Sequence, residues 1–291
     1  LSSLLAVGLD LTKQAEEVIK AVKAEHKENT HIKGHTDEGV VEPVTDADQR
    51  SNRVFVNGFR RHFAGITLLS EETEPEEGDF HATVTTLLEP LKVDPWLNMD
   101  DVMVTIDPLD ATKEFTEDLT QYVTTMVCIV YKGEPIAGII NQVFEPKLDP
   151  VWGVIPMEGV SEGVHGRTAK PAEGAAANSV TISRSHTGAG GDVVTKYFKG
   201  RQALKAGGAG FKALLVVDGE ADAYVHVTKI KSWDVCAAEA VIKAMGGGFS
   251  DVDGKPLTYN MEDPLFVRGL VATASKTKQN WYLDQLGGNL A

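Results

Sequence analysis

Five residues with the pattern of a buried strand, Val102-Met103-Val104-Thr105-Ile106, run directly into Asp107-Pro108-Leu109-Asp110-Ala111-Thr112. The β-branched, apolar run predicts a strand ending at Asp107. Pro108 fixes φ in the turn that follows, and a helix is expected to begin near Thr112. Two carboxylates, Asp107 and Asp110, then leave one tight bend with the Leu109 carbonyl between them. Such an all-oxygen group suits Mg²⁺ or Ca²⁺ rather than Zn²⁺. Taken alone, the hexapeptide reads equally well as a turn in which Asp110 caps a helix.

Other carboxylates shift that balance. Glu71 closes the short apolar run Ile66 to Leu69, as Asp107 closes its strand. Asp48 and Asp234 each stand at the start of an expected helix. Singly, Glu71 reads as a solvated charge beside Glu72, and the two aspartates read as helix caps worth ~1 kcal/mol. Together they place acidic side chains at the ends of four elements, where sites are usually built. Carboxylates converging to ~4 Å repel unless a cation intervenes. A cation would lower the pKa of a water, and a second would neutralise a leaving oxygen. Thr112 could accept a hydrogen bond from that water and pass its own proton toward Asp48. The amides of Ala111 and Thr112 could hold phosphate oxygens.

The charge balance narrows the partners. With 28 basic and 42 acidic residues among 291, the net charge is −14. That field repels a nucleic-acid polymer, and no run of Lys and Arg offsets it. Hydrophobic residues at 42% and charged residues at 24% are those of an ordinary globular chain. Cys128 and Cys236 lie in apolar surroundings, read as buried free thiols, and are too few for a disulfide framework. No apolar stretch reaches the ~20 residues that span a bilayer.

Periodicity orders the rest. Leu4, Val7, Leu11, Ala15, Val18 and Val22 predict an opening helix. Gly34 to Pro43 reads as a loop. Thr45 or Asp46 caps a second helix that buries Val54, Phe55, Phe59 and Phe63. Glu74 to Gly78 reads as acidic and flexible, and Thr83 to Leu91 as a further short element. Tyr122 to Tyr131 and Pro135 to Val143, split by Lys132-Gly133-Glu134, predict a hairpin that Val151 to Ile155 extends. Beyond the Gly- and Ala-rich segment Gly159 to Asn178, strands at Val180 to Ser183, Ala223 to Val227 and Leu270 to Ala274 alternate with helices. Those helices are Phe211 to Val217, Asp234 to Met245 and Gln279 to Leu286. The expectation is an α+β half, residues 1–160, followed by an α/β half, residues 161–291.

Asp107-Pro108-Leu109-Asp110-Ala111-Thr112 resembles the DP(I/L)DGT motif of the lithium-sensitive inositol monophosphatase superfamily. Glu71-Glu72 is similar to its Glu-Glu pair. Trp233-Asp234-Val235-Cys236-Ala237-Ala238, followed by Gly246-Gly247, is similar to its WDxAA…GG segment. All three occur in family order across nearly the whole chain. The resemblance implies the layered αβαβα sandwich of the inositol monophosphatase and fructose-1,6-bisphosphatase type. It implies a phosphoric monoester hydrolase with about two or three Mg²⁺ ions, inhibited by Li⁺. Glu71, Asp107, Asp110, Asp234 and the Leu109 carbonyl match its metal ligands, and Asp48, Glu71 and Thr112 its catalytic groups.

Thr112-Lys113-Glu114-Phe115-Thr116-Glu117, Ser183-Arg184-Ser185-His186 and Gly207-Gly208-Ala209-Gly210-Phe211-Lys212 resemble the bisphosphate nucleotidase branch, which removes the 3′-phosphate of adenosine 3′,5′-bisphosphate. The resemblance puts Ala111, Thr112, Ser185, His186, Gly208 and Lys212 along the nucleotide, with Lys229 and Lys231 near its 5′-phosphate. Ala111 departs from the family glycine. With Tyr122 to Cys128 and His226 to Trp233, it resembles the Golgi-resident form, a luminal domain behind an N-terminal anchor. The chain begins at Leu1, which fits a missing anchor. A Golgi-luminal enzyme on a small nucleotide is expected, as a possible homodimer, against a cytoplasmic alternative. The alternative activities are an inositol phosphate phosphatase and, in another class, a non-catalytic cation-binding module.

Overall fold

A computed structural model describes residues 1–287, apart from 27, 36–38, 40, 74–90, 92–93, 146, 157–162, 167–177, 185–192 and 267. The expected flexible stretch Glu74 to Gly78 lies outside the described residues, as do all of the element expected at Thr83 to Leu91 except Leu91 and most of Gly159 to Asn178.

Helix α1 (Ser2–Ala24) buries Leu4, Leu11, Ala15, Ile19 and Val22 at helical spacing. Helix α2 (Asp46–His62) begins at Thr45, whose hydroxyl accepts from the Ala47 amide while Asp48 answers the Thr45 amide in a capping box. Both helices pack on one face of a six-stranded sheet. Its strands are β3 (Thr67–Ser70), β4 (Val102–Asp110), β5 (Thr124–Tyr131), β6 (Glu134–Gln142), β7 (Val151–Val154) and β8 (Val164–His165), in that order across the sheet. Only the β3–β4 pair is parallel.

Strand alternation builds the layers. Val104, Ile106, Val127 and Ile129 face α1 and α2. Met103, Met126, Cys128 and Val130 face the opposite way, onto helices α4 (Ala209–Val217) and α5 (Ser232–Ala244). These two central helices also cover a five-stranded sheet, ordered β10 (Gln202–Ala206), β9 (Ser179–Ser183), β11 (Ala223–His226), β15 (Leu270–Thr273) and β13 (Gly248–Ser250). On its far face Val180, Ile182 and Val225 meet Tyr282 and Leu286 of helix α6 (Lys276–Leu286). The stack is helix, sheet, helix, sheet, helix. Each large aliphatic side chain buried in it contributes about 1.5–3 kcal/mol.

Three expectations are corrected. Gly34 to Pro43 is not simply a loop. His31–His35 (β1) and Val41–Val44 (β2) pair as an antiparallel ribbon with a register shift near Gly34. Strand β4 does not stop at Asp107 but continues through the turn to Asp110, because the β5 pairing resumes at Asp110–Thr124 after a bulge. Cys128 and Cys236 are not free thiols; they form a disulfide between β5 and α5. Packing α5 on the sheet brings the two Cα atoms to 5.7 Å, inside the span a disulfide needs. Two further pieces complete the fold: α3 (Thr112–Thr116), which follows β4, and the ribbon of β12 (Ile230–Lys231) with β14 (Leu265–Phe266).

Candidate metal centre and substrate cleft

Parallel pairing of β3 with β4 sets Ser70 beside Ile106, so Glu71 emerges next to Asp107. The Glu71 amide donates to the Ile106 carbonyl at 3.0 Å and extends that register one residue past the strand. The Ser70 hydroxyl donates to Asn52 of α2, which in turn donates to the Thr73 carbonyl, fastening this strand end. From the opposite layer, the first turn of α5 brings in Asp234, whose carboxylate accepts from the Lys231 amide at 3.2 Å. Glu71, Asp107 and Asp234 each present one oxygen to a group whose members lie within 4.8 Å of one another.

The carboxyls of this group crowd one buried place, and each opposes the ionisation of the others. Burial raises the Asp107 carboxyl well above the usual range, and the charges of Glu71, Asp110 and Asp234 raise it further. Burial raises Asp234 likewise, with Glu71 and Asp110 adding to it and the Lys231 amide and Lys212 opposing. Burial also raises Glu71, opposed chiefly by Lys33. Three hard oxygen donors at this spacing fit Mg²⁺. Asp110 sits differently from the others. Its oxygens accept from the Ala209 amide (3.0 Å), the Gly210 amide (2.8 Å) and the Thr124 hydroxyl (2.9 Å). It therefore caps α4 as well as facing the cluster, and burial still raises its carboxyl against those donors and Lys212.

Thr112 opens α3 and donates from Oγ1 to Asp48 Oδ1 at 2.8 Å, with the Leu109 carbonyl a second acceptor at 3.1 Å. The other Asp48 oxygen takes the Thr45 amide and hydroxyl. Burial pushes the Asp48 carboxyl up to about 7, against the hydrogen bonds from Thr45 and Thr112. Ala111, between Asp110 and Thr112, has φ +72° in the left-handed region. Gly208 stands at φ +64°, and a Cβ there would lie 2.7 Å from Asp110 Oδ2. Only glycine lets the chain pass so close to that carboxylate.

A cleft of about 340 Å³ joins these groups, lined by Glu71, Asp107, Asp110, Asp234, Thr112 and Leu109 on the acidic side and by Lys33, Lys212, Lys229 and Lys231 besides. Lys212 is buried over the Tyr224 ring and donates to the Gly208 carbonyl. Burial lowers its ammonium against the pull of Asp110, Glu114 and Asp234. Ala111 and Gly208 line the same cleft. Ser185 and His186 lie outside the described residues.

Three participants were not anticipated. Lys33 of β1 bridges Glu71 and Glu72 at 2.6 Å each. Burial works against its ammonium, but the two carboxylates raise it above its ordinary value. Arg184 reaches across to Glu114 (3.0 Å) and Glu117 (2.7 Å), tying the end of β9 to α3. The Tyr224 hydroxyl is buried beside the cleft without a partner among the described residues. For Lys33 no local signal existed. Arg184 stood within Ser183 to His186, but its partners Glu114 and Glu117 lie 70 and 67 residues earlier, so no local signal marked the pairing.

The model of the Inositol monophosphatase family matches residues 1–287. A Drosophila pseudoobscura pseudoobscura protein described as a candidate inositol monophosphatase 3 is 41% identical over 261 residues, covering 87% of this chain and 72% of its own. The Golgi-resident adenosine 3′,5′-bisphosphate 3′-phosphatase of Mus musculus is 30% identical over 292 residues, covering 96% and 79%. The crystal structure of CysQ from Bacteroides thetaiotaomicron, a bacterial member of that family, shares the fold with a TM-score of 0.67 at 21% identity, over 95% of this chain and 98% of its own. A family match over nearly the whole length, the layered fold and the carboxylate cluster agree: this chain belongs to the inositol monophosphatase family and is a phosphatase of it.

Proposed function

We propose that this phosphatase removes the 3′-phosphate of adenosine 3′,5′-bisphosphate to give AMP and phosphate. Glu71, Asp107, Asp234 and the Leu109 carbonyl would hold Mg²⁺, with Asp110 adding an oxygen whose remaining lone pairs are not used by its three donors. When bound, Mg²⁺ supplies Lewis-acid stabilisation of the phosphoryl oxygens and a more acidic water.

The protein's own groups do the rest. Because Thr112 donates its proton to Asp48, its Oγ1 presents a lone pair to a water in the cleft. That water is oriented for attack on phosphorus, gives its proton toward Thr112, and Thr112 relays its own to Asp48 Oδ1. The bond from phosphorus to the 3′-oxygen breaks and the leaving oxygen takes a proton from solvent. A cation-binding module would have no use for such a hydroxyl–carboxylate pair.

The observation that carries the substrate is the set of lysines in the cleft. Lys212, Lys229 and Lys231 line a cavity whose carboxylate end, once it held Mg²⁺, would take one phosphate. A second anion on the substrate suits them, and a bisphosphate offers one. The second reading, an inositol phosphate phosphatase, is favoured by the 41% relative described as a candidate inositol monophosphatase 3. A disulfide suits an oxidising compartment, which supports the Golgi lumen over the cytoplasm.

The test compares kcat/KM for adenosine 3′,5′-bisphosphate, 3′-AMP and inositol 1-phosphate. The bisphosphate is expected to be preferred, and Lys212→Ala to narrow its lead over 3′-AMP by ~10- to 100-fold, the effect of losing one charge-assisted contact. Equal or better turnover of inositol 1-phosphate would replace the nucleotidase reading by the second one. Chelation of Mg²⁺ should abolish all three activities, and Li⁺ should inhibit them.

A further inference from the structure

We propose that the Cys128–Cys236 disulfide is a positioning link for the carboxylate centre, holding Asp234 against Asp107 so that affinity for a divalent cation depends on the link being closed. The proposal rests on reading Glu71, Asp107 and Asp234 as the Mg²⁺ site.

Cys236 follows Asp234 by two residues, in the opening turns of α5. Cys128 lies opposite Thr105 in the β4–β5 register, and Met126, two residues earlier, lies opposite Asp107. The link therefore joins the element carrying Asp234 to the strand that sets the place of Asp107. Both cysteines are fully buried.

The helix lies close to the sheet at this level. Gly138 pairs with Cys128 on the next strand, and a Cβ on it would lie 2.5 Å from the Ala237 carbonyl oxygen. Farther along α5 the hold is apolar, through Val241 and Ile242. At the Asp234 end the anchors are the Ser232 amide on the Pro264 carbonyl and the Lys231 amide on Asp234 itself. Against them stands the mutual repulsion of the converging carboxylates. Val235, Ala237 and Ala238 are buried against the core here too, and a covalent bond two residues from Asp234 adds to that packing a tie that resists the separation.

Opening the link needs a reductant, here a small dithiol such as dithiothreitol. Its thiolate attacks one sulfur and forms a mixed disulfide. Its second thiol then closes on the first, leaving as a cyclic disulfide. Two electrons pass to the protein, and two protons finish on the Cys128 and Cys236 thiols.

The experiment uses the full chain and needs no substrate. Thiols are first counted by alkylation of the denatured protein that has never met reductant; none are expected. Mg²⁺ affinity is then measured by calorimetry for the oxidised protein, the protein reduced and freed of dithiothreitol under argon, the variant Cys128→Ala/Cys236→Ala, and Ile242→Val as a packing control on α5. Affinity should fall about 10- to 100-fold in the reduced protein and the double variant, the range for losing a group that orients a metal ligand. Ile242→Val should bind as the parent does. Should the double variant not fold, the reduced parent answers alone. Two free thiols at the outset, or equal affinity in oxidised and reduced protein, would overturn the proposal while leaving the phosphatase reading in place. Loss of the far-ultraviolet dichroism on reduction would overturn it too, since the link would then hold the fold rather than Asp234. Absence of Mg²⁺ binding in every form would remove the metal reading along with it.

Discussion

Thr112 and Asp48 are 64 residues apart, yet the Thr112 hydroxyl donates to Asp48 Oδ1 at 2.8 Å. Two helix starts make this contact. Asp48 is the third residue of α2, held by its capping box, and Thr112 is the first of α3, reached from the end of β4. The direction of the bond decides what it does. With the Asp48 carboxylate as acceptor, the hydroxyl must be the donor, and its own lone pairs stay available to a further donor.

Thr112→Ala should therefore keep Mg²⁺ affinity near that of the parent while lowering kcat by about 10²-fold or more, the usual scale for a positioned proton relay. Thr112→Ser keeps the hydroxyl and should retain most of the rate. Asp48→Asn is informative because an amide can donate to Thr112 and occupy the lone pair meant for water, so kcat should fall there as well. Steady-state kinetics with a parallel calorimetric titration of Mg²⁺ check all three. Parent-like kcat in Thr112→Ala would remove the relay from the mechanism.

Much of this centre was legible because its parts are set locally. Val102 to Ile106 has the composition of a buried strand, Thr45 has the chemistry of a cap, and Glu71 ends a run of apolar residues. Each signal lies within a few residues of the side chain it places. What stayed hidden depends on contacts distant in sequence. Lys33 meets Glu71 only because the β1–β2 ribbon folds over the end of β3. Asp110 caps α4 from 99 residues away. Cys128 and Cys236 are 108 residues apart, and apolar neighbours describe a buried thiol and a buried disulfide equally well. The strand beyond Asp107 was masked by Pro108, which ordinarily ends a ladder but is accommodated here in a bulge.

The metal-free protein should lose stability as pH rises from about 5.5 to 7.5. Burial raises the carboxyls of Asp48, Glu71, Asp107, Asp110 and Asp234, with Asp48 pushed up to about 7. In the unfolded chain these groups ionise near pH 4. Between those values the folded state holds protons that the unfolded state has released. Stability is then fully present below the unfolded pKa and is lost as pH climbs through the folded one. The slope is about 1.4 kcal/mol per pH unit for each proton by which the states differ. Urea midpoints in the presence of a chelator should be higher at pH 5.5 than at 7.5. Added Mg²⁺ should restore the midpoint at pH 7.5, because it binds the ionised carboxylates of the folded state alone. A chelated protein more stable at pH 7.5 would contradict the buried-carboxylate account.

Ala111 adopts φ +72° and ψ +41° between the two residues that matter most to the turn, Asp110 and Thr112. A β-carbon in that conformation crowds the following carbonyl at a cost of roughly 1–2 kcal/mol. Glycine would escape that cost but give back part of it, about 0.4–1 kcal/mol, through greater freedom in the unfolded chain. Ala111→Gly should therefore stabilise the protein by about 0.5–1 kcal/mol, read as a higher urea midpoint with an unchanged slope. The strain is local to the turn, and the Asp110 and Thr112 hydrogen bonds on either side over-determine its shape. Removing the methyl should thus leave kcat within about threefold of the parent, well under 1.4 kcal/mol in barrier. KM responds separately, because the methyl lines the cleft beside Gly208. A drop in KM without a change in kcat would show that the methyl narrows the phosphate end of the cleft. A destabilised Ala111→Gly would mean that the left-handed turn is held by contacts of the methyl itself.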